Sequence, residues 1–121
     1  MLRILVVDDD LNVAKALCRR LRGHDVAMAG SGAEAIALCL ANHYDLILCD
    51  VMMPNLSGAD VHQRLTALRP DIVRRIVFVT GGTFTPHVTE FMDSVPNRVL
   101  EKPVDRETLA GVLTEFQRAA D

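Results

Sequence analysis

Polar side chains that could take part in a reaction lie at the ends of four apolar runs in the sequence. Asp8 and Asp9 follow the first run, Asp50 ends the third, Thr80 ends the fourth and Lys102 follows the fifth. Apolar runs bounded by turn residues are typical of buried strands. Open parallel sheets place their ligand-binding groups at the carboxyl ends of the strands. We therefore expect these five side chains to converge on one edge of a sheet.

The chemistry open to this group is phosphoryl transfer. Clustered carboxylates repel one another unless a cation compensates, and an all-oxygen site suits a hard cation such as Mg²⁺. A carboxylate can attack phosphorus and form an acyl phosphate, and such a transfer needs mainly positioning and charge neutralisation. We interpret Asp50 as the phosphoryl acceptor, with Lys102 as a second positive charge. Thr80 could donate to a phosphoryl oxygen, while Gly81 and Gly82 leave room for the backbone to approach.

Five apolar runs alternate with five segments of helical spacing. This alternation predicts parallel strands, right-handed crossovers and helices on both faces of the sheet. The first, third and fourth runs are the most apolar, which favours the strand order 2-1-3-4-5 with the second and fifth strands at the edges. The predicted fold class is α/β, a three-layer sandwich of five βα units. The predicted strands are residues 3–7, 25–29, 46–50, 76–79 and 98–100.

The predicted helices have start signals and apolar stripes. The expected capping residues are Asp10 or Asn12, Ser31 in a capping box with Glu34, Ser57, Thr85 before Pro86, and Asp105. The stripes expected to face the core are Val13, Ala16, Leu17 and Leu21; Ala33, Ile36, Ala37 and Leu40; Val61, Leu65 and Leu68; Val88, Phe91 and Met92; and Leu109, Val112, Leu113 and Phe116.

Composition indicates one globular domain over residues 1–121. Half of the residues are hydrophobic and 24% are charged, which is typical of a folded chain. The net charge of −3 does not indicate a nucleic-acid surface. No apolar run reaches membrane-spanning length, and no signal-peptide pattern opens the chain. Three widely spaced cysteines in apolar segments, Cys18, Cys39 and Cys49, predict buried free thiols and a reducing, cytoplasmic location.

Four motifs together, in the order in which they follow along the chain, resemble the receiver domain of two-component response regulators. They are Val6 to Asp9, Leu46 to Pro54 with Ser57-Gly58, Val79 to Gly81, and Lys102-Pro103. The resemblance covers the whole chain and implies a flavodoxin-like fold. It also implies phosphoryl transfer to Asp50 from a phosphohistidine, on a histidine kinase or a histidine phosphotransfer domain, with Mg²⁺ bound.

The same match implies roles for individual residues. Asp9, Asp50 and the backbone carbonyl of Met52 would be metal ligands, and Asp8 would act through water. Lys102 would pair with the phosphoryl group, Thr80 would move toward it, and the Lys102–Pro103 bond would be cis. By resemblance we also expect a mostly monomeric domain that binds a downstream signalling protein through its first helix and rim loops.

One position departs from the family pattern. Receivers often carry Tyr or Phe three residues before the matching lysine, as a rotating switch, whereas this chain has Val99. The usual pairing of a threonine with an aromatic switch is therefore in doubt. Phe84 or Phe91 could take part in its place.

A finer resemblance concerns the segment from Phe78 to Val104. This segment looks like that of receivers at the carboxyl end of hybrid histidine kinases. The likeness rests on Thr80-Gly81-Gly82, Phe84-Thr85 and Leu100 to Pro103. The sequence leaves open whether the chain is part of such a kinase or a stand-alone receiver.

Two other functions compete with the receiver interpretation. A phosphatase with an aspartyl-phosphate intermediate typically has a second Asp two residues after its nucleophile, but Met52 stands there and cannot transfer protons. A pseudo-receiver would bind partners without accepting phosphate. The complete set of polar residues argues against that second alternative.

Overall fold

The computed structural model describes residues 1–81 and 85–120, which form one five-stranded sheet with helices on both faces. The strand order is β2-β1-β3-β4-β5, and every neighbouring pair is parallel. The predicted α/β class and strand order are confirmed, and the architecture is flavodoxin-like. The strands are β1 Arg3–Val7, β2 Asp25–Ala29, β3 Leu46–Asp50, β4 Ile76–Thr80 and β5 Val99–Glu101.

Within the described residues, five α-helices connect or follow the strands, and a short 3₁₀ helix at Val73–Arg75 precedes β4. The α-helices are α1 Leu11–Arg20, α2 Gly32–Ala41, α3 Gly58–Leu68, α4 Pro86–Ser94 and α5 Arg106–Ala120. None of the described helices is long and apolar enough to cross a membrane.

The core lies in two layers, one on each face of the sheet. Successive strand side chains point to opposite faces, so Leu5 and Ile47 join the layer beneath α2, α3 and α4, while Val6 and Leu48 join the layer beneath α1 and α5. Every residue of β3 and β4 is buried. This burial on both faces is what their uninterrupted apolar runs predicted.

The predicted helix starts are confirmed, but the capping box predicted for Ser31 and Glu34 was wrong in its second half. Ser31 Oγ accepts the N–H of Glu34 at 3.2 Å, and among the hydrogen bonds of the described residues the Glu34 side chain does not return to Ser31. Asp10 caps α1, Ser31 caps α2, and Thr85 caps α4 ahead of Pro86. Asp105 accepts the N–H of Thr108 at 2.7 Å at the start of α5. Among the described residues the reciprocal capping box forms at α3, between Ser57 and Asp60.

The predicted inward face of α2 was wrong, apart from Ile36. Ala33, Ala37 and Leu40 are exposed, and the buried residues of this helix are Gly32, Ala35, Ile36 and Cys39. The helix is apolar on almost every side, so hydrophobic periodicity could not select one face. Packing against the sheet and α3 selects it instead.

Two further stripe positions were wrong. In α1, Ala16 is exposed and Ala14 is the buried alanine, so the inward face is rotated from the predicted one. In α3, Leu68 is 55% exposed because it lies in the last turn, beyond the part of the helix that packs on the core. The inward residues predicted for α4 and α5 pack against the core as expected.

The strand ends on the β4–β5 side differ by one residue from the prediction. β4 extends to Thr80, and β5 is Val99–Glu101 rather than 98–100, because Thr80 pairs with Glu101 in the ladder. The three cysteines are free thiols; Cys39 and Cys49 are buried, and Cys18 is only half-buried.

Candidate functional site

The carboxylates of Asp8, Asp9 and Asp50 meet at the carboxyl edge of the sheet. Asp8 follows β1 and Asp50 ends β3, and these two strands are paired through Val7 and Cys49. One ligand oxygen from each carboxylate lies within 4.8 Å of the others. Asp8 and Asp50 are each 5% exposed, whereas Asp9 is exposed. The convergence predicted for these three residues is present.

Lys102 joins this group from the end of β5. Its Nζ lies 2.8 Å from Asp8 Oδ2 and 3.4 Å from Asp50 Oδ2. Its backbone N–H donates to the carbonyl of Thr80 at 2.7 Å, and the Lys102–Pro103 bond is cis, as predicted. One residue therefore links the ends of β1, β3, β4 and β5.

The electrostatics of the group are unbalanced toward negative charge. Burial, and then the charge of Asp8, raise the pKa of Asp50 to about 6, although Lys102 and the N–H of Met52 act against this rise. Burial disfavours the ammonium of Lys102, but its hydrogen bond to Asp8 and the two carboxylate charges outweigh that effect and raise its pKa. Two buried carboxylates, Asp8 and Asp50, thus share one ammonium group, and Asp9 adds a third carboxylate beside them.

Thr80 and Met52 lie beside the acidic group in different ways. Thr80 is buried at the end of β4, next to β3, and Val79 pairs with Asp50. The backbone N–H of Met52 donates to Asp50 Oδ1 at 3.3 Å, while its side chain is 43% exposed. The backbone of Met52, rather than its thioether, therefore faces the carboxylate.

A tight loop after β3 holds Asp50 in place. The N–H of Gly58 donates to the carbonyl of Val51 at 2.9 Å, and that of Leu56 donates to Pro54 at 2.8 Å. Asn55 has φ of 67°, a left-handed conformation that asparagine tolerates. A Cβ on Gly58 would lie 2.7 Å from the carbonyl oxygen of Asp50, so only glycine allows α3 to start this close to the site.

Three contacts of the site were not predicted. These are the direct Lys102–Asp8 pair, the N–H of Met52 on Asp50, and the hydrogen bond from the N–H of Asp10 to Asp8 Oδ1 at 2.9 Å. They depend on rotamers and loop paths that residue spacing does not specify. Gly58, directly after Ser57 and close to Asp50 in sequence, was the one available signal of the tight approach.

The aromatic rings near β4 lie on the side of α3 and α4, and Val99 occupies the position of the usual switch residue. Val99 is 41% exposed on edge strand β5. Phe91 of α4 instead meets Phe78 edge-on at 5.7 Å and the ring of His62 at 5.3 Å. Phe84, the other candidate, and Gly82 lie outside the described residues.

Comparisons with known proteins agree on one family. The family model described as the response regulator receiver domain matches residues 4–114. The DNA-binding response regulator MtrA of Mycolicibacterium paratuberculosis (strain ATCC BAA-968 / K-10) is 36% identical over 98% of this chain and 53% of its own length. The chain therefore spans about half the length of the curated relatives it matches.

Solved structures give the same result. The receiver domain of the Francisella response regulator 1452 superposes with a TM-score of 0.79 at 28% identity, covering 98% of this chain and 99% of that one. The Vibrio cholerae chemotaxis protein CheY4 superposes with a TM-score of 0.82 at 27% identity, covering 96% of this chain and 98% of that one.

Proposed function

The chain belongs to the response regulator receiver family, and we propose that Asp50 is the residue that accepts the phosphoryl group. The protein is a receiver of two-component signal transduction. The observation that carries the assignment to Asp50 is its position: it is a buried carboxylate at the end of the central strand β3, 3.4 Å from Lys102 and within the acidic group. The whole of residues 1–121 acts as one receiver domain in this proposal.

The transfer itself is a substitution at phosphorus. A carboxylate oxygen of Asp50 attacks the phosphorus of a phosphohistidine, so a P–O bond forms while the P–N bond breaks. The imidazole nitrogen leaves with the electron pair and takes up a proton. Water later cleaves the mixed anhydride and restores the carboxylate, with release of inorganic phosphate.

Lys102 and Thr80 act on the charge that this transfer brings into the site. Lys102 already lies within reach of Asp8 and Asp50, so its ammonium can pair with the phosphoryl oxygens after transfer. Thr80, buried at the neighbouring strand end, donates its hydroxyl to a phosphoryl oxygen. Movement of Thr80 would then alter the start of the segment that leads to α4.

The acidic group suits Mg²⁺, because its donors are hard oxygen atoms and the single ammonium of Lys102 pairs with only two of its three carboxylates. Asp9, Asp50 and the backbone carbonyl of Met52 would hold the ion, and Asp8 would act through water. When bound, Mg²⁺ supplies charge neutralisation for the carboxylates and the incoming phosphoryl group.

Phosphorylation changes partner affinity in this proposal. The donor is a histidine kinase or a histidine phosphotransfer domain, and a downstream signalling protein reads the phosphorylated state. The coupling is reciprocal, so a partner that prefers the phosphorylated form also favours phosphorylation. Because Val99 replaces the usual aromatic switch, Phe91 and its contact with Phe78 are the proposed route from Thr80 to α4.

The molecular setting is a separate proposal. The relative MtrA is named as a DNA-binding response regulator, which favours a response-regulator setting over the hybrid-kinase setting inferred from residues 78–104. We propose a cytoplasmic, mostly monomeric receiver whose free thiols suit a reducing compartment. Measuring the mass of the native polypeptide with an antibody raised to this chain distinguishes the settings, since a hybrid kinase is much longer.

The test is intact mass after incubation with acetyl phosphate and Mg²⁺. We expect one phosphoryl group on the wild type, none on Asp50→Asn, and none with EDTA. Asp93→Asn, an exposed carboxylate on α4, is the matched control and should be phosphorylated normally. A wild type unmodified by both acetyl phosphate and a phosphohistidine donor would support a pseudo-receiver. Steady turnover of a generic phosphate ester would support a phosphatase.

A further inference from the structure

A groove with four arginines lies between α1 and α5, away from the acidic group. Its volume is about 460 Å³. Leu109, Ala110 and Leu113 of α5 supply its apolar part. Its cationic part is the arginine set Arg19, Arg20, Arg22 and Arg106.

These arginines carry charge that the described structure does not neutralise by ion pairs. Arg19, Arg22 and Arg106 are exposed and form no ion pair with any residue of 1–81 or 85–120. Arg20 interacts electrostatically with Asp105. In a chain with a net charge of −3, such a concentration of positive charge in one groove is unexpected.

The helix dipoles favour the positions of only some of the four groove arginines. Arg19 and Arg20 lie in the last turn of α1, where a cation is favourable. Arg106 is the first residue of α5, the positive end of that helix, where a cation is unfavourable. Mutual repulsion among the four guanidinium groups adds to this cost, and a bound anion would relieve both effects.

We propose that this groove binds an anion with at least two linked phosphate groups, as in a nucleoside diphosphate or an inorganic polyphosphate. Guanidinium groups recognise phosphate through paired hydrogen bonds. A groove of this size lies within the usual range of roughly 300–1,000 Å³ for small-molecule sites. Its apolar part is limited to three residues of one helix, which favours a small, highly charged ligand over a partner helix.

Arg20 connects the groove to the phosphorylation site. Its guanidinium donates to the backbone carbonyl of Val104, two residues after Lys102. Arg20 also lines a second groove, of about 420 Å³, that reaches Asp8 and Lys102. An anion that draws the guanidinium away from Val104 would therefore alter the segment that carries Lys102.

The test is isothermal titration of the metal-free protein, in EDTA and at constant ionic strength, with sodium tripolyphosphate, ADP and adenosine. Arg19→Gln/Arg106→Gln removes two groove arginines, and both positions are exposed. Arg64→Gln/Arg74→Gln makes the same change in charge at exposed positions outside the groove. We expect saturable binding of tripolyphosphate or ADP, at least tenfold weaker in the first variant and changed less than twofold in the second.

The titrations with different compounds distinguish the possible ligands. Tighter binding of ADP than of tripolyphosphate assigns the site to nucleotides, and the reverse order assigns it to inorganic polyphosphate. The proposal is overturned if the wild type shows no saturable binding, if both variants weaken equally, or if adenosine binds as well as ADP. Tighter binding of an oligoglutamate peptide of equal charge would also overturn it in favour of a protein partner. Phosphorylation of Asp50 does not enter any of these outcomes.

Discussion

At the scale of single residues, the fold holds the carboxylates of the site close together despite their mutual repulsion. Asp50 is buried beside a second carboxylate, and only Lys102 lies close enough among the described residues to pair with it. Burial and repulsion both favour the neutral form of an acid. This arrangement lowers the stability of the metal-free protein, and in the proposed function a cation and a phosphoryl group use the same unbalanced charge.

Removing that charge should therefore stabilise the metal-free protein. We expect Asp50→Asn to raise the free energy of unfolding at pH 8 by about 1–3 kcal/mol, because the buried repulsion with Asp8 is lost. Saturating Mg²⁺ should reduce the difference, since the wild type gains more from the ion. Urea unfolding with and without the metal measures both effects. Asp93→Asn should show neither, and a destabilised Asp50→Asn protein would contradict this account.

The convergence of the Asp8, Asp50 and Lys102 side chains was predictable because each lies at the end of a strand. Asp8, Asp50, Thr80 and Lys102 each stand where an apolar run stops, and parallel strands bring such positions to one edge. The direct Lys102–Asp8 contact could not be predicted in the same way. It depends on side-chain rotamers and on the path of the segment after β5, which spacing alone does not determine.

At the scale of elements, α3 begins against the backbone of Asp50. Gly58 allows this approach, because a Cβ there would lie 2.7 Å from the carbonyl of Asp50 and 3.0 Å from Cα of Val51. We expect Gly58→Ala to destabilise the protein by about 1–3 kcal/mol through overpacking and to slow phosphorylation by moving β3 and α3 apart. Chemical unfolding and the rate of acetyl phosphate modification measure these changes.

Gly111 is the matched control for that substitution. It also lies in a helix, but a Cβ there would meet nothing within 4 Å. Gly111→Ala should stabilise the protein by about 0.5–1 kcal/mol, because alanine has the higher helix propensity. If the two substitutions had the same effect, the close approach at Gly58 would not be what positions Asp50.

A second element-scale contact ties α2 to the end of α3. Arg69, the C-cap of α3, donates to the carbonyl of Cys39 at 2.8 Å, and its guanidinium makes two hydrogen bonds to Asp71 at 3.0 and 2.9 Å. Hydrogen bonding from Arg69 lowers the pKa of Asp71 to about 2. The ionised form of Asp71 is therefore favoured in the folded state.

This shift predicts a pH-dependent contribution to stability. A depressed acid pKa stabilises the fold above the unfolded value of about 4 and loses that effect as the pH falls toward 2. Asp71→Asn should therefore melt below the wild type at pH 6, and the difference should shrink progressively below pH 4. Thermal melts from pH 6 to pH 3 measure it. A difference that stays constant over this range would contradict the assignment to Asp71.

The helices also show where sequence patterns fail. Caps were predictable because one side chain satisfies a defined set of free N–H groups, as at Asp10 and Ser57. The buried face of α2 was not, since Leu40 and Cys39 are both apolar and only packing decides between them. A capping hydrogen bond depends on residues that are close in the sequence. The face that a helix buries depends on residues that are distant in the sequence.

At the scale of the whole molecule, topology follows from the order of apolar runs. The three most apolar strands occupy the centre of the sheet, with β2 and β5 at its edges. Central strands open only when much of the core is lost, whereas edges open locally. The strand order was predictable because a strand that is buried on both faces has an uninterrupted apolar run in the sequence.

Hydrogen exchange should reflect that order. We expect amides of β1, β3 and β4 to exchange most slowly and those of the three-residue edge strand β5 to exchange fastest among the strands. Exchange monitored by NMR resolves the strands individually. Faster exchange in β3 than in β5 would be incompatible with a central, fully buried β3.

Chemical trapping of the aspartyl phosphate decides whether Asp50 carries the phosphoryl group. Borohydride reduces an aspartyl phosphate to homoserine, so the phosphorylated protein can be reduced, digested and sequenced by mass spectrometry. We predict homoserine at position 50 only, dependent on Mg²⁺ and on the phosphoryl donor. Homoserine at Asp8 or Asp9, or at no position in a protein shown to be phosphorylated, would contradict the account.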